Sequence, residues 1–200
     1  MLDQATAPVI HDFDLESLLA TAAARLRRQR QFERPLAAGA AAGRALEAGL
    51  DRARDCVAAL ARPRAALLVL SPVLAQISAL GAGRVVLALI SLSYGQEQAF
   101  ARLAQDYMDH HLQTLLARET LFALGRAVRD RVQEQHLGKQ VRRLTLLAAE
   151  PSAASAWDVE KVQNLLALYG EAPLGVTLTE GGCFRPLHAL LTVFAVEQPA

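Results

Sequence analysis

A long segment with almost no charge lies in the first half of the chain. Between Ala65 and Gln96 the sequence carries one formal charge, Arg84, whereas the segments on either side are rich in arginine, aspartate and glutamate. Burying one large apolar side chain contributes roughly 1.5 to 3 kcal/mol, so a segment of this composition belongs in a core, an interface or a membrane. The structure adopted by this segment therefore decides the fold.

Two breaks divide the uncharged segment. Ser71 before Pro72 is typical of a helix start, and Gly81 to Gly83 is typical of a tight turn. We therefore predict two buried helices that form a central hairpin. A strand is the alternative for Val85 to Leu92, because the periodicity of a short apolar run does not distinguish a strand from a buried helix. A membrane hairpin would need about 20 apolar residues per span, and both pieces are shorter.

Amphipathic helices are predicted on both sides of this segment. Asp14 is a suitable N-cap for a first helix, whose apolar residues recur at spacings of three and four. A second helix is predicted to follow Pro35 and to end before Pro63. Helical periodicity covers residues 96–136, which form either one long helix or two helices that break near residues 118–120. The first helix ends in a basic cluster, which we interpret as a solvated helix end, with a phosphate-binding patch as the alternative. Its members are Arg25, Arg27, Arg28 and Arg30.

The pattern changes beyond residue 138. An apolar run at 141–149 is followed by a helical pattern at 157–169 and by two strand-like runs at 174–179 and 187–196. We therefore predict a mainly α fold, a multi-helix bundle with a buried central helical hairpin and a small C-terminal β-α-β-β element, α+β overall. The predicted divisions are a flexible arm at 1–12, the helical bundle at 13–137 and a small α/β element packed on it at 138–200.

Length, charge and cysteine content narrow the class of protein. A chain of 200 residues can build one hydrophobic core, and a net charge of +1 gives no strong general attraction for nucleic acid. The sequence has two cysteines, and its N-terminus lacks the order of a signal peptide. We expect a cytoplasmic bacterial protein without a nucleic-acid partner and without a cofactor.

One cluster contains residue types that bind metals. Asp106 and His110 are one helical turn apart, so that their carboxylate and imidazole could reach the same ion. His111 falls on the apolar stripe of the same helix, where a packed histidine is the ordinary interpretation. Two ligands alone do not complete a metal site.

Cys183 is the candidate reactive thiol. It follows two glycines and precedes Arg185, with His188 five residues on, so that a cation could stabilise a thiolate and a histidine could act as base. No third orienting residue is evident, and many cysteines serve only as small apolar packing residues. The phosphate-loop, dinucleotide-binding, nucleophile-elbow and zinc motifs are missing from the sequence, which therefore selects no enzymatic activity.

Three functional hypotheses follow. The first is a non-enzymatic helical interaction protein, an adaptor, chaperone or assembly subunit, that binds a protein partner or itself through apolar helix surfaces. The second is a membrane-associated protein that inserts residues 65–95. The third is a small-ligand- or metal-binding helical enzyme whose buried helices line an apolar pocket. The first is favoured, because an apolar composition of 52% comes with no catalytic constellation.

Overall fold

An antiparallel sheet of five strands forms the framework of the computed structural model, which describes residues 7–30, 32–33, 41–71, 84–94, 107–137, 139–148, 159–171 and 173–197. The described strands are β1 (Val9–Asp12), β2 (Arg64–Leu70), β3 (Arg84–Ser91), β4 (Gln140–Ala148), β5 (Thr177–Leu178), β6 (Phe184–Arg185) and β7 (Ala189–Glu197). The main sheet has the order β1-β2-β3-β7-β4, and β5 and β6 form a separate two-stranded ladder.

Helices cover both faces of this sheet. The described helices are α1 (Leu15–Arg27), α2 (Ala41–Leu60), α3 (Tyr107–Gln135) and α4 (Val159–Ala167). Buried residues of α1, α2 and α3 share one hydrophobic cluster with one face of the sheet, whereas those of α4 share a second cluster with the other face. None of the helices within the described ranges has the length and apolarity needed to cross a membrane.

The predicted helices flanking the uncharged segment are confirmed where the structure describes them. Ser17 donates its backbone N–H to Asp14 Oδ2 at 3.1 Å, the N-cap bond expected at the start of α1. The second predicted helix is described from Ala41 to Leu60, and its predicted start at Pro35 lies outside the described residues. α3 runs without a break through residues 118–120, and residues 96–106 also lie outside the described part.

The uncharged segment forms the two central strands, so the predicted helical hairpin is wrong. β2 and β3 pair from Arg64 opposite Ser91 to Leu70 opposite Val85. A strand covered by helices on both faces is apolar at every position, and it therefore lacks the alternation that identifies a half-buried strand. The strand alternative for residues 85–92 is confirmed. The mainly α bundle is wrong as a fold class, because the chain is α+β with a five-stranded antiparallel sheet.

The C-terminal part of the chain supplies two strands of the same sheet. β7 lies between β3 and β4, so strands from both sides of the predicted boundary at residue 138 are hydrogen-bonded to each other. The short β5–β6 ladder lies between α4 and β7 in sequence. The buried hydroxyl of Tyr169, two residues beyond α4, donates to the backbone carbonyl of Ala66 at 3.2 Å. This bond ties the second layer of the core to β2.

Candidate functional site

A cleft of about 700 Å³ opens between α3 and the β7–β4 side of the sheet. This volume falls within the range of about 300 to 1,000 Å³ that is usual for small-molecule sites. α3 supplies one wall, β7 and β4 supply another, and the last turn of α1 contributes Arg25. Its lining is a mixture of apolar side chains and arginines, with Thr192 and Gln140 as neutral polar groups.

Helical spacing places the α3 residues of the cleft on one stripe. Phe122, Arg126 and Arg129 follow one another at intervals of four and three residues. Between them Gly125 carries no side chain, and a Cβ built there would meet Leu190 Cδ2 at 4.0 Å. Gly125 therefore leaves open part of the space between the helix and the sheet.

The strand register places one arginine on the helix-covered face of the sheet. Val141 is opposite Val196, and Arg143 is opposite Phe194. Val196 and Phe194 both belong to the hydrophobic cluster beneath α1, α2 and α3, and Val141 packs against that cluster. Since alternate residues of a strand share a face, Arg143 lies on the same face as Val141.

Of the described residues that line the cleft, five are arginines and none is acidic. Three of these arginines have a carboxylate partner: Arg25 Nε lies 3.3 Å from Glu119 Oε2, Arg129 Nη2 lies 3.0 Å from Asp130 Oδ1, and Arg142 Nη2 lies 2.9 Å from Glu197 Oε1. Among the side chains that the structure describes, no carboxylate lies within ion-pair distance of Arg126 or Arg143. Within the described part of the chain, the cleft therefore holds two guanidinium groups without a carboxylate partner.

Arg126 is the more buried of these two arginines. It is half-buried, and desolvation lowers its pKa, with further lowering by the charges of Arg25 and Arg129. The carboxylates of Glu119 and Asp130 act in the opposite direction and raise this pKa. A guanidinium that is partly desolvated and surrounded by like charges is stabilised by an anion bound beside it.

The buried carboxylate of Glu119 pairs with one of the cleft arginines, Arg25. Glu119 is 5% exposed, and its Oε1 accepts a hydrogen bond from Gln29 Nε2 at 3.2 Å. Its Oε2 lies beside Arg25 Nε and accepts no hydrogen bond from the described residues. Glu119 thus holds Arg25 at the cleft and neutralises part of the local positive charge.

The lining also contains apolar side chains, of which Phe122 and Val141 are half-buried, whereas Leu190 and Phe194 are buried beneath them. Phe122 and Val141 offer contact to the carbon skeleton or the aromatic ring of a ligand, while the arginines offer charged donors to an anionic group. The arrangement can therefore bind an organic anion without any covalent chemistry.

The structure does not bring the predicted metal ligands together within its described part. His110 is exposed on α3, and Asp106 lies outside the described residues. In the described ranges no group of three or more histidine, cysteine, aspartate or glutamate side chains could hold a metal ion. Metal binding by Asp106 and His110 stays a prediction.

Cys183 lies in the turn between β5 and β6. Its thiol is half-buried, and its backbone N–H donates to Thr179 Oγ1 at 3.1 Å. The ring of His188 meets Tyr94 edge to face with 5.0 Å between ring centroids, and burial lowers the pKa of His188 to about 4. His188 is therefore neutral at pH 7. The reactive thiol at Cys183 stays a prediction.

Sequence reasoning missed most of the cleft. Of the predicted basic cluster, Arg25 reaches it, whereas Arg27 makes two hydrogen bonds to the carboxylate of Glu47. The available signals were two arginines on one helical stripe of α3 and a pair of arginines in the apolar run 141–149. Neither signal identifies a site until the sheet order places β4 beside β7 and near α3.

Comparison with known proteins identifies a solved structure of similar fold but no family. No family model matches the sequence, and no curated protein matches it. The chain resembles a solved structure described as the crystal structure of the MetH reactivation domain bound to AdoHcy, with 10% sequence identity and a TM-score of 0.60. The match covers 99% of this chain and 81% of that chain. At this identity the likeness shows the fold alone.

The sheet corrects one sequence-based prediction. An alpha-helical assembly subunit is expected from the sequence, but the chain contains a substantial five-stranded sheet. The apolar residues that suggested exposed helix surfaces are largely buried, either in the central strands or in helix faces packed on the sheet. The description as an alpha-helical assembly subunit is therefore wrong.

Proposed function

We propose that this protein is a small-molecule-binding domain and that the cleft between α3, β7 and β4 holds its ligand. The observation that carries this proposal is that Arg126 and Arg143 lie in a cleft of ligand size beside apolar side chains and have no carboxylate partner within the described ranges. Arginine binds carboxylate and phosphate groups through paired, charge-assisted hydrogen bonds. The ligand is accordingly an organic anion with an apolar part.

The solved structure of similar fold gives the proposal independent support. The MetH reactivation domain of similar fold was solved with AdoHcy bound. AdoHcy joins adenosine to an amino acid through a thioether, so it offers a planar aromatic base and a carboxylate. These two features suit an apolar surface beside arginines, which makes AdoHcy a suitable first probe.

Two further expectations belong to this proposal. We place the protein in the cytoplasm, a reducing compartment in which its free cysteines, Cys56 and Cys183, stay as thiols. Binding to a protein partner or to a second copy stays a prediction and is independent of the cleft.

A steric block of the cleft tests the proposal. Gly125→Leu adds a side chain toward Leu190 without changing any charge. Isothermal titration of the wild-type protein with AdoHcy, adenosine and adenosine monophosphate (AMP) should show saturable binding of at least one compound. The Gly125→Leu variant should lose that binding while it keeps a cooperative unfolding transition.

A matched variant controls for unspecific effects. Ala24→Leu adds the same bulk at an exposed position of α1 outside the cleft lining and should leave binding unchanged. The proposal is wrong if none of the three compounds binds, or if the Gly125→Leu variant binds them as well as the wild type does.

A further inference from the structure

We infer that the ligand of this cleft carries a phosphate monoester, a dianionic group held between Arg126 and Arg143. This inference rests on the proposed function, since it names the chemical class of the ligand of that same site. It differs from what the structural neighbour suggests, because AdoHcy carries an amino-acid zwitterion rather than a dianion.

The charges around the cleft carry the inference. Carboxylates outside the lining pair with three of its arginines, and the two other guanidinium groups have no carboxylate partner among the residues that the structure describes. A phosphate monoester carries a charge of about −1.5 to −2 at pH 7, because its second pKa is about 6. One phosphate group therefore matches the charge of two guanidinium groups.

The positions of the two arginines also suit a phosphate. Arg126 projects from a helix and Arg143 from a strand, and both line the same cleft. Each guanidinium presents parallel N–H donors in a planar fork, and a phosphate group has three terminal oxygens to accept them. A single phosphate can thus be held from two rigid elements at once.

A zwitterionic amino-acid group fits this charge distribution less well. Its carboxylate would satisfy one guanidinium, but its ammonium group would add a positive charge near Arg126 and the other lining arginines. The two carboxylates whose charges act on Arg126 are already engaged, Glu119 beside Arg25 and Asp130 with Arg129. Among the described residues that line the cleft, none is acidic and could receive the ammonium group.

The apolar lining defines the other half of the ligand. Phe122 on α3 is half-buried and lines the cleft, whereas Phe194 on β7 is fully buried beneath it. Aromatic rings prefer offset-stacked or edge-to-face contact with another ring, and they also bury aliphatic groups. The ligand class is therefore a phosphorylated compound with an aromatic or apolar body.

Three compounds that all contain adenosine separate the effect of ligand charge on binding from the effect of ligand shape. Adenosine is neutral, AdoHcy is a net-neutral zwitterion and AMP is a dianion, so calorimetric titration at equal ionic strength isolates the contribution of the phosphate group. We expect AMP to bind about 10-fold or more tightly than adenosine, the effect of one good charge-assisted contact. AdoHcy should bind closer to adenosine than to AMP.

Arginine variants locate the phosphate group. Arg126→Gln and Arg143→Gln should each weaken AMP binding about 10-fold and leave adenosine binding almost unchanged. Arg54→Gln removes an arginine that pairs with Glu16 away from the cleft and should have no effect on either compound. Should Arg126→Gln prevent folding, Arg126→Lys keeps the charge, and it should still weaken AMP binding because the fork is lost.

The possible outcomes separate this inference from the proposed function. Equal affinity for AMP and adenosine, or tighter binding of AdoHcy than of AMP, would overturn the inference, while sensitivity of that binding to Gly125→Leu would uphold the proposed function. Tighter binding of a dicarboxylate such as succinate than of AMP would also overturn the phosphate assignment. If none of these compounds binds, both conclusions are wrong.

Discussion

Arg143 on β4 stands directly opposite Phe194 on β7, on the sheet face that carries the helix-covered core. An arginine at an inward-facing strand position is unusual, since the preceding inward residue, Val141, packs against the hydrophobic core. Near β4 this face opens into the cleft, and the Arg143 side chain is exposed there instead of buried in a closed core.

Arg143→Val should stabilise the protein and weaken anion binding. A β-branched residue opposite an aromatic one forms a favourable cross-strand pair, worth roughly 0.2 to 1 kcal/mol. Urea denaturation should show that gain in the free energy of unfolding, and calorimetry should show weaker AMP binding. Arg64→Val serves as the control, because it removes an arginine that pairs with Asp12 at a strand position outside the cleft lining. Unchanged AMP affinity in the Arg143→Val variant would argue against a role for Arg143 in binding.

Replacing two helical glycines with alanine should change the free energy of unfolding in opposite directions. A Cβ on Gly49 of α2 would lie 2.7 Å from Leu112 Cδ1, so Gly49→Ala forces a rearrangement where α2 packs on α3. We expect a loss of about 1 to 3 kcal/mol in the free energy of unfolding. Gly125→Ala meets Leu190 only at 4.0 Å and should gain up to about 1 kcal/mol from helix propensity. Thermal and urea unfolding of both variants compare these effects, and equal changes would contradict the close approach at Gly49.

The ion pair between Arg52 of α2 and Asp109 of α3 should contribute more to the free energy of unfolding than an exposed ion pair does. Arg52 donates two hydrogen bonds to the carboxylate of Asp109, at 2.7 and 3.1 Å, and the Asp109 side chain is 3% exposed. Arg52→Ala removes this partner from a buried carboxylate. Since Arg52 is itself 44% exposed, we expect a loss of about 2 kcal/mol, below the usual range for fully buried pairs.

An exposed pair provides the comparison for Arg52. Arg129 and Asp130 are both more than half exposed, so Arg129→Ala should change the free energy of unfolding by less than about 0.5 kcal/mol. Urea denaturation of the two variants at pH 7 measures both values. Similar losses in the two variants would show that the buried carboxylate of Asp109 does not need Arg52.

His188 should make the protein less stable as the pH falls. Burial lowers its pKa in the folded state to about 4, whereas an unfolded histidine titrates near 6.5. Between these values the unfolded chain binds the proton more readily, so stability is complete above about pH 6.5 and is lost as the pH falls toward 4. The full effect is about 3 kcal/mol.

Variants at His188 test the origin of this pH dependence. His188→Phe keeps a ring for the contact with Tyr94 but removes the titrating group. The free energy of unfolding of this variant should depend less on pH between 6.5 and 4 than that of the wild type. His110→Phe, at an exposed position of α3, should leave the wild-type dependence intact. The same slope in all three proteins would assign the effect to other groups.

The sequence carried enough information for the helices and too little for the central strands. Helical periodicity and the N-cap at Asp14 identify α1, because an amphipathic helix has one buried stripe. The segments that become β2 and β3 are buried on both faces, so no alternation marks them as strands. Their pairing with β1 and β7 depends on contacts distant in sequence, which local patterns do not encode.

The candidate site was harder to predict than the fold. Arg126 and Arg143 lie on different elements, and only the sheet order and the strand register place both at one cleft. In sequence each arginine resembles an ordinary solvated residue. Cys183 and His110, in contrast, were singled out by residue type, and the structure neither pairs them with one another nor places them in the cleft lining.

The most direct test of the account is to observe the arginines of the cleft while a phosphorylated probe is added. Nitrogen-edited proton spectra resolve the Nε–Hε groups of individual arginines, and the Arg126→Lys, Arg143→Lys and Arg54→Lys variants assign three of them. On titration with AMP, the signals of Arg126 and Arg143 should shift in saturable fashion, while that of Arg54 should stay in place. Saturable shifts confined to arginines outside the cleft, or no saturable shift at all, would contradict the assignment of this cleft as the binding site.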